Sequence, residues 1–256
     1  MITFEDFTEW RTQRRRQVRS GLTLGMVPTM GALHEGHLSL VRRSRAENDF
    51  TLVSIFVNPT QFDDPADLEA YPRTLQNDCA LLESEGVDFV WVPKASDLYP
   101  DGYRYRVIET EQSRELEGAF RPGHFDAVLT VVLKLLQIAG ADRAYFGEKD
   151  WQQLRLVQGM ADAFYLPTTI VACPTVRETS GLALSSRNQR LSDTDRRKAP
   201  DLHRVLTHAA TAADARRDLS ADGFSVDYVE DRDMRRLAAV RLGGVRLIDN
   251  IPLGDR

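Results

Sequence analysis

The chain has 256 residues, enough for one large domain or a main domain with a smaller companion. Its 33 Lys and Arg against 38 Asp and Glu, with a hydrophobic share of 42%, are typical of a soluble globular protein, and 16 glycines and 11 prolines exclude a collagen-like or low-complexity sequence. A formal charge of −5 gives no global attraction to nucleic acid or to an anionic membrane. Two cysteines, Cys79 and Cys173, are too few for a disulfide framework; neither has metal-site spacing around it, so both read as thiols of a reducing compartment. The acidic opening lacks the apolar core of a signal peptide. The most apolar stretch, 127–139, is broken by Thr130, Lys134 and Gln137, short of the ~20 residues that a spanning helix needs. A cytoplasmic location without membrane or nucleic-acid partners is expected.

Residues 4–20 carry Phe4, Phe7, Trp10 and Val18 at helical spacing, with Thr3 as cap and Gly21 as stop. Arg14, Arg15, Arg16 and Arg19 fall in its last turns, where cations suit the helix dipole, and they read as a solvated face. Leu22–Val27 is then a short apolar run ending at Pro28, followed by a glycine-containing loop and a helix over His37–Glu47. Strand-like runs follow at Phe50–Val57, Val87–Val92, Arg143–Phe146 and Thr168–Cys173, separated by helical patterns at Pro72–Gly86, His124–Ala139 and Asp150–Phe164. Apolar runs alternating with helices imply βαβ units, hence a doubly wound parallel α/β sheet of the Rossmann-like class over 1–175. Tyr103–Thr110 is assigned as an extra strand. Beyond it, Ser192–Ala215 is polar, Arg-rich and helical, Ser225–Val229 is a strand, and Leu237–Leu242 and Val245–Ile248 flank Gly243-Gly244 as a hairpin. Residues 176–256 therefore form a second, smaller α/β domain.

Chemistry concentrates where strands end. Pro28-Thr29-Met30-Gly31-Ala32-Leu33-His34-Glu35-Gly36-His37 lies between the first apolar run and the following helix, at the sheet edge where open α/β folds bind ligands. Its glycines allow close backbone approach, the helix N-terminus favours phosphate, and two imidazoles can donate to phosphoryl oxygens. A zinc motif would need the second His four residues after the first, but that position is Leu38, so no metal site is assigned. Gly147-Glu148-Lys149-Asp150 offers a backbone approach, a point charge for phosphate and a carboxylate for a helix cap or ribose. Leu184-Ser185-Ser186-Arg187-Asn188 adds two hydroxyls and a guanidinium, suited to polyphosphate. Asn58-Pro59-Thr60-Gln61-Phe62 and Arg121-Pro122-Gly123-His124-Phe125 complete the set, and one shared crevice is expected.

These segments, with Tyr71-Pro72-Arg73-Thr74, the Gln152-Gln153 pair and Arg246-Leu247-Ile248-Asp249-Asn250-Ile251, resemble the pantoate–β-alanine ligase (pantothenate synthetase) family of the nucleotidyltransferase superfamily. The His-x-Gly-His element marks only the superfamily; its combination with Asn58–Phe62 and the Gln pair marks the ligase. The resemblance implies ATP-dependent condensation of (R)-pantoate with β-alanine through a pantoyl adenylate, releasing pyrophosphate and AMP. It implies that ATP is bound by Met30–His37, Gly147–Asp150, the backbone of Val176 and Leu184–Arg187, with Mg²⁺ on the phosphates. It further implies that His37 is the proton donor, assisted by His34, Lys149 and Arg187. Gln61 and Gln153 then hold pantoate, Gln61 also faces β-alanine, and Asn58, Arg121 and His124 line the same pocket. A homodimer and a small domain acting as a lid are implied as well. Two departures stand out: Ala127 occupies a position where the family usually has Gly, and the small domain is shortened between Val229 and Leu237. The competing readings are a transferase that stops after one adenylyl or cytidylyl transfer, and a nucleotide-binding module without turnover.

Overall fold

The computed structural model describes residues 1–63 and 65–254, with all of their side chains except those of 17–19. In chain order it forms β1 (Ile2–Phe4), α1 (Phe7–Arg19), β2 (Leu24–Thr29), α2 (Glu35–Glu47), β3 (Phe50–Ile55), α3 (Pro65–Glu69), α4 (Leu75–Ser84) and β4 (Phe89–Trp91). There follow α5 (Ala95–Leu98), α6 (Glu117–Phe120), α7 (His124–Ala139), β5 (Arg143–Gly147), α8 (Trp151–Ala163) and β6 (Thr169–Cys173). The six strands make one sheet in the order β1-β4-β3-β2-β5-β6, and every neighbouring pair is parallel. Alternate residues face opposite sides of a strand. Val27, Val53, Val90, Tyr145 and Cys173 accordingly pack with Leu40 and Val41 of α2 and Leu82 of α4. On the other face Phe89 of β4 meets Trp10 of α1 edge-on at 5.4 Å. Helices thus cover both faces, which is why the strands read as unbroken apolar runs.

Several local expectations change. Thr3 does not cap a helix, because Ile2-Thr3-Phe4 pairs with Phe89-Val90-Trp91 as an edge strand. The start of α1 is held instead by Asp6, whose Oδ1 accepts the Thr8 N–H at 2.6 Å. Val18 and Arg19 lie outside the described side chains. Arg14 is not solvated: it is buried, and it donates to the Gly140 carbonyl at 2.9 Å and to the Asp142 carboxylate at 2.8 Å. Trp10, one helical turn earlier, donates to the carbonyls of Ile138 and Ala139, so α1 binds the C-terminal end of α7 through both residues. Strand β2 runs through Pro28 rather than stopping there. Leu24 O accepts from Asp142 N, so the even-numbered residues of β2 face β5, and Pro28 lies beyond the last β2–β5 pair at Met26. Its missing N–H removes no ladder bond. Tyr103–Thr110 is not a strand: Val107 N–H bonds the Thr130 hydroxyl at 2.9 Å instead of a ladder, and Tyr105 and Ile108 are exposed. Ala127 is fully buried within an unbroken α7.

The chain divides into two compact units, Met1–Gly147 with Gln152–Cys173, and Glu148–Trp151 with Pro174–Arg256. The second contains α9 (Asp193–Lys198), α10 (Asp201–His208), α11 (Ala212–Ala221) and an antiparallel sheet of β7 (Ser225–Arg232), β8 (Arg235–Leu242) and β9 (Val245–Pro252). Two tight turns connect the strands. Gly243 and Gly244 have φ of 55° and 79°, while Asp233 and Met234 have φ of 49° and 56°, the left-handed pairs that hairpin twist favours. The segment between Val229 and Leu237 is the end of β7, this second turn and the start of β8. Leu202, Val205 and Leu206 of α10 and Leu219 of α11 pack with Val240, Leu247 and Ile251 of the sheet.

Arg236 crosses that core with no solvent exposure. Its five N–H groups are all engaged: two on the Asp231 carboxylate at 2.7 and 3.0 Å, and three on the carbonyls of Leu206 in the last turn of α10 and of Ala209 and Ala210 just beyond it. The guanidinium therefore terminates a helix whose final carbonyls lack intrahelical donors. Replacement by Ala leaves buried acceptors unpaired, and Arg236→Ala is expected to lower unfolding free energy by about 3 kcal/mol. Arg236→Lys should recover less than half of that loss, because an ammonium offers three donors from one point. Denaturant titration of both variants measures this; a loss of unfolding free energy below about 1 kcal/mol for the Ala variant contradicts the role.

Candidate functional site

Between β2 and α2 the loop 30–34 turns sharply. Gly31 has φ of 79°, and a Cβ there would come within 2.9 Å of Asp78 Oδ2. Ala32 also takes a left-handed φ of 50°, costly for a residue with a side chain. Asp78 of α4 is the reason the turn holds. Its carboxylate is 2% exposed and accepts the N–H groups of Ala32 at 3.0 Å and Leu33 at 2.8 Å, with the Thr74 hydroxyl at 3.1 Å. Beneath it the Thr29 hydroxyl donates to Ser54 O and accepts the Gly31 N–H.

The two histidines follow directly. His34 caps α2, its Nδ1 accepting the Gly36 N–H at 3.1 Å; His37 Nδ1 in turn accepts the His34 N–H at 3.3 Å. The ring centroids are 4.1 Å apart. Since Nδ1 accepts in both, the proton of each neutral imidazole belongs on Nε2, making Nε2–H the donor of each ring. Glu35 is exposed and pairs with Arg42.

A second group forms around Gln61, in the 3-10 turn after β3. Asn58 is 1% exposed; its Oδ1 accepts from Tyr99 at 2.8 Å and from Thr60 Oγ1 at 2.9 Å, and its Nδ2 donates to Gln61 Oε1 at 3.1 Å. Burial pushes the Tyr99 hydroxyl up to about 12, so it remains a donor to Asn58. Gln61 Nε2 in turn lies 3.0 Å from Met30 Sδ. The Gln61 main-chain carbonyl receives Arg121 Nη2 at 3.1 Å and His124 Nδ1 at 3.0 Å, while Arg121 Nη1 donates to His124 Nε2. Asn58 thus orients the Gln61 amide, and Arg121 with His124 holds its backbone.

The Gln152-Gln153 pair divides its roles. Gln152 accepts the Glu117 N–H at 2.9 Å and donates to the carbonyls of Gln112 at 2.7 Å and Glu115 at 2.8 Å. It fastens the segment before α6 to α8. Gln153 is half-buried, and its amide makes no hydrogen bond among the described residues.

In the second unit, the turn Glu148–Asp150 is gripped from β8 and β9. Arg235 donates to Glu148 Oε2 at 2.6 Å and lies 4.0 Å over the Trp151 ring. The Asn250 amide donates to the carbonyls of Glu148 and Lys149. The Lys149 ammonium and the exposed Asp150 carboxylate have no partner among the described residues. The Val176 carbonyl accepts the Leu184 N–H at 3.0 Å, closing the turn that precedes Ser185. Ser185 caps a 3-10 turn over Ser186–Arg190 by accepting the Arg187 N–H. Asn188, buried, donates to Ala183 O at 3.0 Å.

Reading the sequence alone gave no role to Gln152, Asp249 and Asn250, which entered only through the resemblance, and passed over Asp78, Tyr99 and Arg177. Only Asp78 left a signal: it falls with Cys79 and Leu82 on the apolar face of a helical pattern, where a carboxylate needs a reason. Among the described residues no group of three or more His, Cys, Asp or Glu side chains forms a metal-binding cluster. No helix there is long and apolar enough to cross a membrane.

The chain's relatives agree on one activity. A family model for pantoate–β-alanine ligase matches residues 2–252. The pantothenate synthetase of Bdellovibrio bacteriovorus is 54% identical over 246 residues, covering 96% of this chain and 97% of its own. That of Cereibacter sphaeroides is 53% identical, covering 91% and 93%. The crystal structure of pantoate–β-alanine ligase from Francisella tularensis, complexed with β-γ ATP and β-alanine, is 40% identical and superimposes with a TM-score of 0.93 over 100% of this chain and 99% of that one. Pantothenate synthetase from Thermus thermophilus gives 0.88 at 40% identity, covering 99% of each. These matches favour ligation over a single nucleotidyl transfer. The chain belongs to the pantoate–β-alanine ligase family, enzymes that form a C–N bond.

Proposed function

We propose that the protein condenses (R)-pantoate with β-alanine in two steps at the expense of ATP, and that the observation carrying this reading is the loop 30–37. A buried Asp78 fixes its backbone, and two neutral imidazoles stand with Nε2–H donors at the start of α2. A carboxylate is a poor acyl donor because its leaving group is poor. The pantoate carboxylate oxygen therefore attacks the α-phosphorus of ATP, the bond to the bridging oxygen breaks in line, and pyrophosphate departs. Little covalent work falls to the protein, so catalysis is positioning and charge neutralisation. His37 donates a hydrogen bond or proton to the departing phosphate, with His34 beside it. Met30–His37, Gly147–Asp150, the backbone of Val176 and Leu184–Arg187 bind the nucleotide, with Lys149 and Arg187 supplying positive charge. Mg²⁺ carried with the nucleotide would supply neutralisation of phosphate charge, and the neutral Nε2–H donors of His34 and His37 would not repel it.

Gln61 and Gln153 hold pantoate, with hydrogen bonds and no charge to trap its carboxylate. Asn58, Arg121 and His124 act there through Gln61. In the second step the neutral amine of β-alanine attacks the acyl carbonyl, AMP leaves and the amine loses a proton. Residues 1–175 serve as the nucleotide- and pantoate-binding domain, and 176–256 as the smaller domain. Two free cysteines and a biosynthetic activity suit a cytoplasmic enzyme, and a homodimer is its assembly.

Omitting each reactant in turn tests the reading. Pantoate alone should stimulate exchange of pyrophosphate into ATP, whereas stoichiometric AMP release should also require β-alanine. Exchange that ignores pantoate would leave a single-transfer nucleotidyltransferase as the better description.

The capping geometry separates the two duties of His34. His34→Asn keeps an oxygen acceptor at a cap position while removing the Nε2–H donor. It should retain the parent's stability within about 0.5 kcal/mol and lose exchange activity on the order of 100-fold. His37→Ala should lose at least as much. Near-parental exchange in both would dismiss the phosphate role.

The neighbouring glutamines should respond in opposite ways. Gln153→Ala is expected to raise the pantoate requirement roughly tenfold with ATP use and thermal stability unchanged. Gln152→Ala strands one buried and two partly buried backbone groups and should cost about 2 kcal/mol of stability. Pantoate titrations beside thermal melts decide the pair, and a reversed pattern would refute the division.

A further inference from the structure

The segment Arg246–Ile251 has no role in the chemistry above, yet two of its side chains bind both nucleotide segments of the second unit. Asn250 of β9 is 3% exposed. Its Nδ2 uses both hydrogens on main-chain oxygens of the Lys149 turn, Glu148 O at 2.9 Å and Lys149 O at 3.0 Å, while Oδ1 accepts from Arg235 Nη1 at 2.5 Å. Its neighbour Asp249 is 4% exposed and receives Arg177 as a two-pronged fork, Nη1 to Oδ2 at 2.7 Å and Nη2 to Oδ1 at 2.8 Å. Arg177 also donates to Gly181 O and Asn250 O. It therefore braces the turn whose closing bond, Leu184 N to Val176 O, leads into Ser185–Arg187. Burial pushes the Asp249 carboxyl up, but His203 and Arg177 outweigh it and hold the group below its ordinary range, so the fork is charged at neutral pH. Successive residues of a strand project to opposite sides. One dipeptide thus fixes two loops that are far apart in sequence.

We propose that Asp249–Asn250 is a positioning element of the ligase, with Asn250 setting where Lys149 stands relative to Ser185–Arg187. The inference rests on the assignment of Lys149 and Arg187 to the ATP phosphates. Polyphosphate presents charges at fixed spacing, and displacing a catalytic group by ~1 Å costs on the order of 100-fold in rate. No atom of Asn250 need touch the nucleotide for this to matter.

The test is a double-mutant cycle between Asn250→Leu and Lys149→Ala in the full-length chain. Readouts are kcat and KM for ATP in pantoate-dependent pyrophosphate exchange, with unfolding midpoints alongside. Asn250→Leu alone should lower kcat/KM for ATP by about tenfold or more, and in the Lys149→Ala background by less than about threefold, because the group it positions is gone. If Asn250→Leu does not fold, Asn250→Asp takes its place, being nearly isosteric and lacking both donors. A structural role alone would lower the midpoint and leave KM for ATP at the parent value, which would overturn the proposal. So would an effect of the same size in both backgrounds. If Lys149→Ala itself leaves ATP use unchanged, the phosphate assignment fails first and the inference falls with it.

Discussion

A carboxylate buried under a glycine turn sets the geometry on which the first unit's chemistry rests. Asp78 reaches from α4 to the N–H groups of Ala32 and Leu33, so the loop after β2 cannot relax into a wider curve. The left-handed Ala32 is tolerated because those two bonds compensate its strain, and they form on a side chain that is 2% exposed, where water does not compete. The consequence passes along the chain. With Leu33 fixed, His34 falls at the cap of α2, its Nδ1 is taken by Gly36, and the tautomer of the ring is decided. A backbone constraint in one helix thereby becomes a proton position in another.

Arginine plays a comparable part at three places where a surface role would be the ordinary expectation. Arg14 closes the end of α7, Arg236 closes the end of α10, and Arg177 forks onto Asp249. In each case a planar group with five donors satisfies acceptors that regular structure leaves open. For the second unit, with its small core, this has particular weight. A guanidinium with no solvent exposure tolerates no second arrangement of the helix and hairpin around it, because any other packing would strand a charge. The same unit carries Lys149 without an ionic partner among the described residues, and its loops are held by neighbours of the cation rather than by the cation itself.

On the proposed assignment the donor groups divide by charge in a way that suits two substrates of different character. The imidazoles of His34 and His37 and the amides of Gln61 and Gln153 are neutral, whereas Lys149 and Arg187 bring an ammonium and a guanidinium. Amides bind a small hydroxy acid without locking its carboxylate into an ion pair, so the carboxylate stays nucleophilic. Cations stabilise charge that shifts onto phosphate oxygens as a bond breaks.

The sequence by itself determined the alternation of strands and helices, the parallel class of the sheet, the span of α7 and the glycine hairpin at 243–244, because each is a property of local hydrophobic period or backbone freedom. It also marked the histidine loop, the Lys149 turn and the serine–arginine segment, since residue type at a strand end already limits the chemistry. Tertiary structure decided the rest. Ile2-Thr3-Phe4 became a strand because β4 offered an edge, whereas Tyr103–Thr110 did not because the Thr130 side chain took the Val107 N–H that a ladder would have used. Gln152 and Gln153 are identical letters side by side; only their different directions around α8 make one a fastener and leave the other's amide without a partner among the described residues. Asp78 and Asn250 act on residues 46 and 101 positions away, at Ala32 and Lys149, and no local pattern encodes a hydrogen bond across that distance.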